Sequence, residues 1–180
     1  MNEMDGKKAR RGKGLKITAV LLLLLGAVGY GYFRYQHPYG SSHHCSKMFP
    51  LFFHEYAEDH DGNYPSAGGE AASLALLVDY GMPVKFLAGK SVSPSDTEKY
   101  YAQHGTLSDE VCGWHYVEGL KNTDPSELAI MWPKVPLGHN GERLKRPAYE
   151  VIFIDGSIRY IEVTKWQGFL ADQERLRTSR

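Results

Sequence analysis

Residues Ile17 to Phe33 (ITAVLLLLLGAVGYGYF) carry no charge, and a basic tail precedes them. At about 1.5 Å per residue a helix of this length covers roughly 26 Å, near the lower limit for a bilayer core. Lys7, Lys8, Arg10, Arg11, Lys13 and Lys16 stand before the run, against Glu3 and Asp5. Basic flanks stay on the cytoplasmic side. The pattern therefore predicts a single-pass inner-membrane protein with its N-terminus inside and the rest of the chain exported. Ile17, Leu21, Leu25, Tyr30 and Phe33 mark the span, so membrane lipid is the first expected partner. Tyr30, Tyr32, Phe33 and Tyr35, with Arg34, read as an aromatic belt and a snorkelling cation at the outer interface. A cleaved secretory signal has a similar composition, and Ala27-Val28-Gly29 is a passable small-x-small cleavage site. The belt favours a retained anchor.

These boundaries divide the chain into a basic tail (1–16), a signal anchor (17–35), a linker (36–44) and one extracytoplasmic domain (45–180). The whole chain is formally neutral, so an excess of four positive charges in the tail leaves the remainder at −4. A mildly acidic exported part argues against nucleic acid as a partner. Cys45 and Cys112 both fall on the exported side, where an oxidising compartment favours a disulfide between them. Two separate buried thiols are the alternative.

Local patterns predict an α+β fold. Pro38 and Gly40 end or interrupt the first helix. Cys45, Met48, Phe49, Phe52 and Tyr56 recur at three- and four-residue steps, one face of an amphipathic helix. Pro50 must then sit in its first turns. Gly69 to Tyr80 reads as a second helix stopped by Gly81. Ser93-Pro94 reads as the cap and first position of a third, over Ser95 to Gln103. Trp114 to Glu118 and Glu127 to Trp132 read as strands. Tyr149 to Ile154, Asp155-Gly156 and Ser157 to Val163 form a hairpin signal. Thr164 is positioned to cap a last amphipathic helix through Trp166, Phe169, Leu170 and Leu176.

Several of these segments together resemble bacterial pseudopilins and type IV pilin-like proteins. Met48 to Pro65 (MFPLFFHEYAEDHDGNYP) resembles the family's helix end and its Asp-Gly turn. Gly113 to Leu120 (GWHYVEGL) and Asp124 to Pro133 resemble the strands that follow. His139, Asn140-Gly141 and Val151 to Ile161 (VIFIDGSIRYI) resemble the C-terminal pattern of a subgroup with a histidine ahead of Asp155-Gly156. The resemblance covers about Cys45 to Val163. It implies an amphipathic helix packed on a small antiparallel sheet, no catalysis, and contacts with other pilin-like or secretion-apparatus proteins. A type II secretion or type IV pilus-like assembly is the implied setting. The prepilin peptidase site is degenerate, with Ala19 where the family has glutamate.

Other constellations admit chemistry. Asp59, Asp61 and Asn63 alternate like the first ligands of a calcium loop, and Glu70 falls where a closing glutamate would stand. Tyr64 replaces the glycine such a loop needs, and the same alternation is ordinary turn chemistry. No other cofactor is suggested. His43, His44, Cys45, His54 and His60 are dense but lack a standard metal-ligand spacing. His139 with Asp155 has no accompanying nucleophile. The alternative to an assembly component is a membrane-tethered extracytoplasmic module that binds a metal or a glycan.

Overall fold

The computed structural model describes residues 3–40 and 46–179, with side chains from 18 onward. The chain divides into two compact units, Met1–Pro38 and Tyr39–Arg180.

The first unit is one helix, α1 (Glu3–Gln36). It stops two residues before Pro38, because proline has no N–H and crowds the preceding residue out of helical conformation. The His37 N–H still reaches the Phe33 carbonyl at 2.8 Å, and the two rings stack at 4.7 Å. Leu21 to Leu25 are 54–73% exposed, so the first unit leaves this apolar surface uncovered. The stretch Thr18–Gln36 is long and apolar enough to cross a membrane, and a signal sequence has the same character. All five expected span residues lie on α1, including Ile17 and the exposed Leu21, Leu25, Tyr30 and Phe33.

The second unit is α+β, as expected. A 3-10 turn (Ser46–Met48) leads into α2 (Phe49–Asp59), with Pro50 in its first turn. The expected second helix forms as α3 (Glu70–Ala75) tightening into a 3-10 turn (Leu76–Tyr80), and Gly81 ends it at φ 88°. Helix α4 (Pro94–His104) begins at Ser93-Pro94. The Ser93 hydroxyl does not cap it and instead lies 2.7 Å from the Ser95 hydroxyl. Strands β1 (Trp114–Tyr116), β2 (Ala129–Pro133), β3 (Ala148–Phe153) and β4 (Ile158–Glu162) pair antiparallel in sequence order. Helix α5 (Trp166–Thr178) closes the chain. Its expected cap is a correction: Thr164 lies inside a 3-10 turn (Val163–Lys165), and no side chain caps α5.

Period-two alternation sends β3 side chains to opposite layers. Ile152 joins the main core with α2, while Val151 and Phe153 pack beneath Trp166 and Phe169 of α5. In the main core Phe49 meets Trp114 edge-on at 5.0 Å, and Phe53 stacks on Tyr116 at 5.7 Å. The polar tips of both strand aromatics are satisfied, Trp114 Nε1 donating to the Phe86 carbonyl and Tyr116 Oη to that of Pro65, each at 2.8 Å. The β2–β3 register shifts between Ala129 and Met131. Buried Gln173 of α5 answers the irregularity, its Oε1 accepting the Ala129 N–H at 2.7 Å. Its Nε2 donates to the Glu127 carbonyl at 3.0 Å.

Gly113 is where backbone meets backbone. A Cβ there would sit 2.0 Å from the Ala88 oxygen and 2.8 Å from the Gly89 Cα. Gly113→Ala is expected to cost at least about 2 kcal/mol, because neither neighbour is a flexible side chain. Gly168→Ala, in the first turn of α5 where a Cβ meets open space, is expected to stabilise by about 0.4–1 kcal/mol. Denaturant unfolding of the detergent-solubilised chain checks both signs.

Candidate functional site

The expected calcium ligands are built into the turn that ends α2. Asp61 (φ 53°) and Gly62 (φ 79°) adopt consecutive left-handed conformations. Asn63 Nδ2 donates to the His60 carbonyl at 2.7 Å, and Asp59 Oδ2 accepts from Tyr80 Oη at 3.2 Å. The turn is stitched to residues 120–122 by the Tyr64 N–H to the Leu120 carbonyl and the Asn122 N–H to the Gly62 carbonyl. Glu70 does not close this loop. Its Oε2 accepts the Tyr116 N–H at 3.2 Å and lies 3.1 Å from His115 Nδ1. It thereby satisfies a backbone donor on the edge strand β1. Among the described residues no three His, Cys, Asp or Glu side chains are placed to hold a metal ion. His54 pairs with Glu58 at 3.1 Å, and His60 stacks on Tyr56. His43 and His44 lie outside the described residues.

The expected Cys45–Cys112 bond is corrected in part. Cys112 is a free, fully buried thiol, and Cys45 lies outside the described residues. Burial pushes the Cys112 thiol up to about 11, so it stays protonated and unreactive at neutral pH.

Asp155 and His139 line separate hollows. Asp155 and Gly156 border one of about 350 Å³ with His54, Asn122 and Tyr64. The Asp155 carboxylate accepts the Ser157 N–H at 2.8 Å and Arg159 Nη2 at 3.2 Å, which is turn chemistry. Both partners, led by Ser157, hold it below the usual carboxylate range. His139 lines a second hollow of about 550 Å³, with Lys145, Arg146, Tyr160 and Glu162.

Beside this second hollow lies a network that sequence reading did not find. Lys90 and Glu150 are 1% and 3% exposed, with Lys90 Nζ 3.0 Å from Glu150 Oε2. Glu150 Oε1 accepts from Ser46 Oγ at 2.7 Å and from Tyr160 Oη at 3.3 Å. Burial alone would raise the Glu150 pKa. Ser46, Lys90 and His139 outweigh it and hold the carboxyl below its ordinary value. The only sequence signal was a glutamate inside an apolar β-run, and its lysine lies 60 positions away.

A second carboxylate, Glu118, is held in a nest of donors. Its Oε1 accepts the N–H groups of Ala67, Gly68 and Gly69 at 3.1–3.2 Å, and the Ser73 hydroxyl. The Ser73 bond lowers its pKa most, burial opposes it, and the three backbone bonds add to the lowering.

No protein-family model matches the chain, and neither a curated protein nor a solved structure is similar to it.

Two outcomes follow from the charges. Lys90→Met strands Glu150 without its cation and is expected to cost about 3–5 kcal/mol, whereas adding Glu150→Leu recovers most of the loss. Equilibrium unfolding of both variants tests this. Because the folded Glu118 pKa is depressed, its contribution is complete above the unfolded value of about 4.3 and fades as pH falls through the lower folded value. Glu118→Gln is expected to flatten that acid limb in unfolding midpoints measured from pH 6 to pH 3.

Proposed function

We propose that this chain is a non-catalytic, single-pass, pilin-like membrane protein whose α+β domain makes protein contacts in a type II secretion or pilus-like assembly. The observation that carries the reading is the pairing of one unshielded apolar helix over Thr18–Gln36 with a head whose α2 lays an aromatic face on an antiparallel sheet. An apolar helix exposed on all sides needs an apolar environment, and a bilayer supplies one. The segments that resemble pseudopilins fall on consecutive parts of this head: α2 and its turn, β1, β2, and the β3–β4 hairpin. The chemistry is spent on structure. Asp155 builds a turn, Glu70 satisfies an edge strand, Glu118 holds a loop, and Glu150 balances a buried lysine. The N-terminus lies in the cytoplasm and the head outside the inner membrane.

One observation favours the alternative of a tethered glycan-binding module. Trp132, Tyr149 and Trp166 are only half-buried and touch one another, with ring centroids 5.7 and 4.1 Å apart about Trp166. Such faces suit stacking on sugar rings as well as on protein.

Photocross-linking from Leu25 and from Trp132 in native membranes, read by mass spectrometry, separates the readings. Cross-links from both positions to pilin-like or secretion proteins are expected, on a chain that retains its N-terminal segment. A product cut near Gly29, or cross-links to itself and lipid alone, overturns the assembly reading.

A further inference from the structure

The loop from Gly138 to Pro147 (GHNGERLKRP) carries Arg143, Lys145 and Arg146 against one carboxylate, Glu142. It borders the 550 Å³ hollow, whose other walls include Tyr160 and Glu162. Arg146 is 85% exposed and meets Glu162 only at 3.9 Å, a surface pair worth little. Glu142 Oε2 is taken up by the Asn140 N–H at 2.8 Å. Tyr160 leaves its ring 55% exposed while its hydroxyl bonds inward to Glu150. Val163, 43% exposed, is tied to the loop's end by its N–H to the Pro147 carbonyl at 2.9 Å. Cations and exposed apolar side chains therefore share one patch.

The position of the patch along the tether gives it meaning. Ser46 and Tyr160 donate to the same oxygen of Glu150. The start of the head thus lies beside the patch, and exposed Lys47 follows Ser46. Ser46 comes ten residues after Gln36, the last residue of the candidate span, a reach of at most about 35 Å even if fully extended. A surface held that near a bilayer meets headgroups at high effective concentration. Clustered lysine and arginine are attracted to anionic lipid, and tyrosine settles at headgroup depth.

We propose that the Gly138–Pro147 loop, with Lys47, Tyr160 and Val163, docks on anionic phospholipid headgroups of the membrane that holds α1. Lys145 and Arg146 at the hollow meet the headgroup phosphate, and the contact fixes which face of the head turns to the bilayer. The proposal rests on the membrane-anchored reading and goes beyond it by naming the surface and the lipid chemistry.

Hydrogen exchange on the full-length chain in nanodiscs tests it. In discs containing a third phosphatidylglycerol, residues 138–147 and 160–163 are expected to exchange at least tenfold more slowly than in pure phosphatidylcholine. The difference should vanish in 0.5 M salt, where exposed charges are screened beyond about 4 Å, and in the triple variant R143Q/K145Q/R146Q. These exposed positions lie outside the core, and an unchanged unfolding midpoint confirms that the variant is folded. Equal exchange in the two lipids overturns the proposal. So does equal protection by 20 mM inorganic phosphate in neutral discs, which makes the hollow a phosphate site instead. Alkaline carbonate extraction keeps the failures apart. A chain released by carbonate refutes the anchor itself, whereas a retained chain with lipid-independent exchange refutes only the docking face.

Discussion

The head is organised by one contact, the aromatic face of α2 against the aromatic strand β1. Phe49 and Phe53 are one helical turn apart, so they present themselves as a pair. Trp114 and Tyr116 are two residues apart on a strand, so they too face the same way. Each helix ring finds one strand ring, and both strand residues keep a hydrogen bond at their polar tips. The remaining layers accumulate on this pairing. Strands β2 to β4 follow β1 in sequence order, so each new strand needs only a local connection. Helix α5 covers the opposite face of the sheet through Trp166 and Phe169. Such nearest-neighbour order is what a small antiparallel sheet achieves without long crossovers.

Electrostatics does a different job. The Lys90–Glu150 pair cannot be the source of net stability, since desolvating two charges costs about as much as their attraction returns. What it supplies is location. Ser46, Lys90 and Tyr160 come from three separate segments and converge on the Glu150 carboxylate. The Ser46 bond ties the entry of the chain into the head to this one place. Glu118 acts likewise on the Ser66–Gly69 loop, where it gathers three consecutive N–H groups.

The elements with a short-range signature were legible in the sequence. The Asp155-Gly156 turn, the β-rich runs that flank it, and the three- and four-residue steps through Phe49, Phe52 and Tyr56 are local, and each stands where its pattern put it. The errors came from competition between partners that a linear reading weighs alone. Thr164 has the right residue type for a cap, but the chain leaves β4 through a 3-10 turn, which puts Lys165 at the cap position. Glu70 has the right spacing for a loop-closing ligand, but the unpaired Tyr116 N–H of an edge strand lies closer at hand. The shift in β2 is invisible in Ala129 to Met131 themselves, because the residue that makes it tolerable is Gln173, 44 positions on. Of the candidate site, the turn residues were legible and the buried ion pair was not.

That division bears on function. In a catalytic site perturbed carboxylates face a cavity with unspent hydrogen-bonding capacity. Here the three carboxylates with depressed pKa values are all consumed by the chain's own donors: Glu118 by a loop, Glu150 by a lysine and two hydroxyls, Asp155 by its turn and Arg159. Their proton affinities are lowered by partners that must be broken before a substrate proton or a metal could take their place. The Gly138–Pro147 loop turns Lys145 and Arg146 to solvent, and half-buried aromatics lie beside α5. In the proposed assembly role the head acts by where it is held, and Ser46 follows Gln36 by only ten positions.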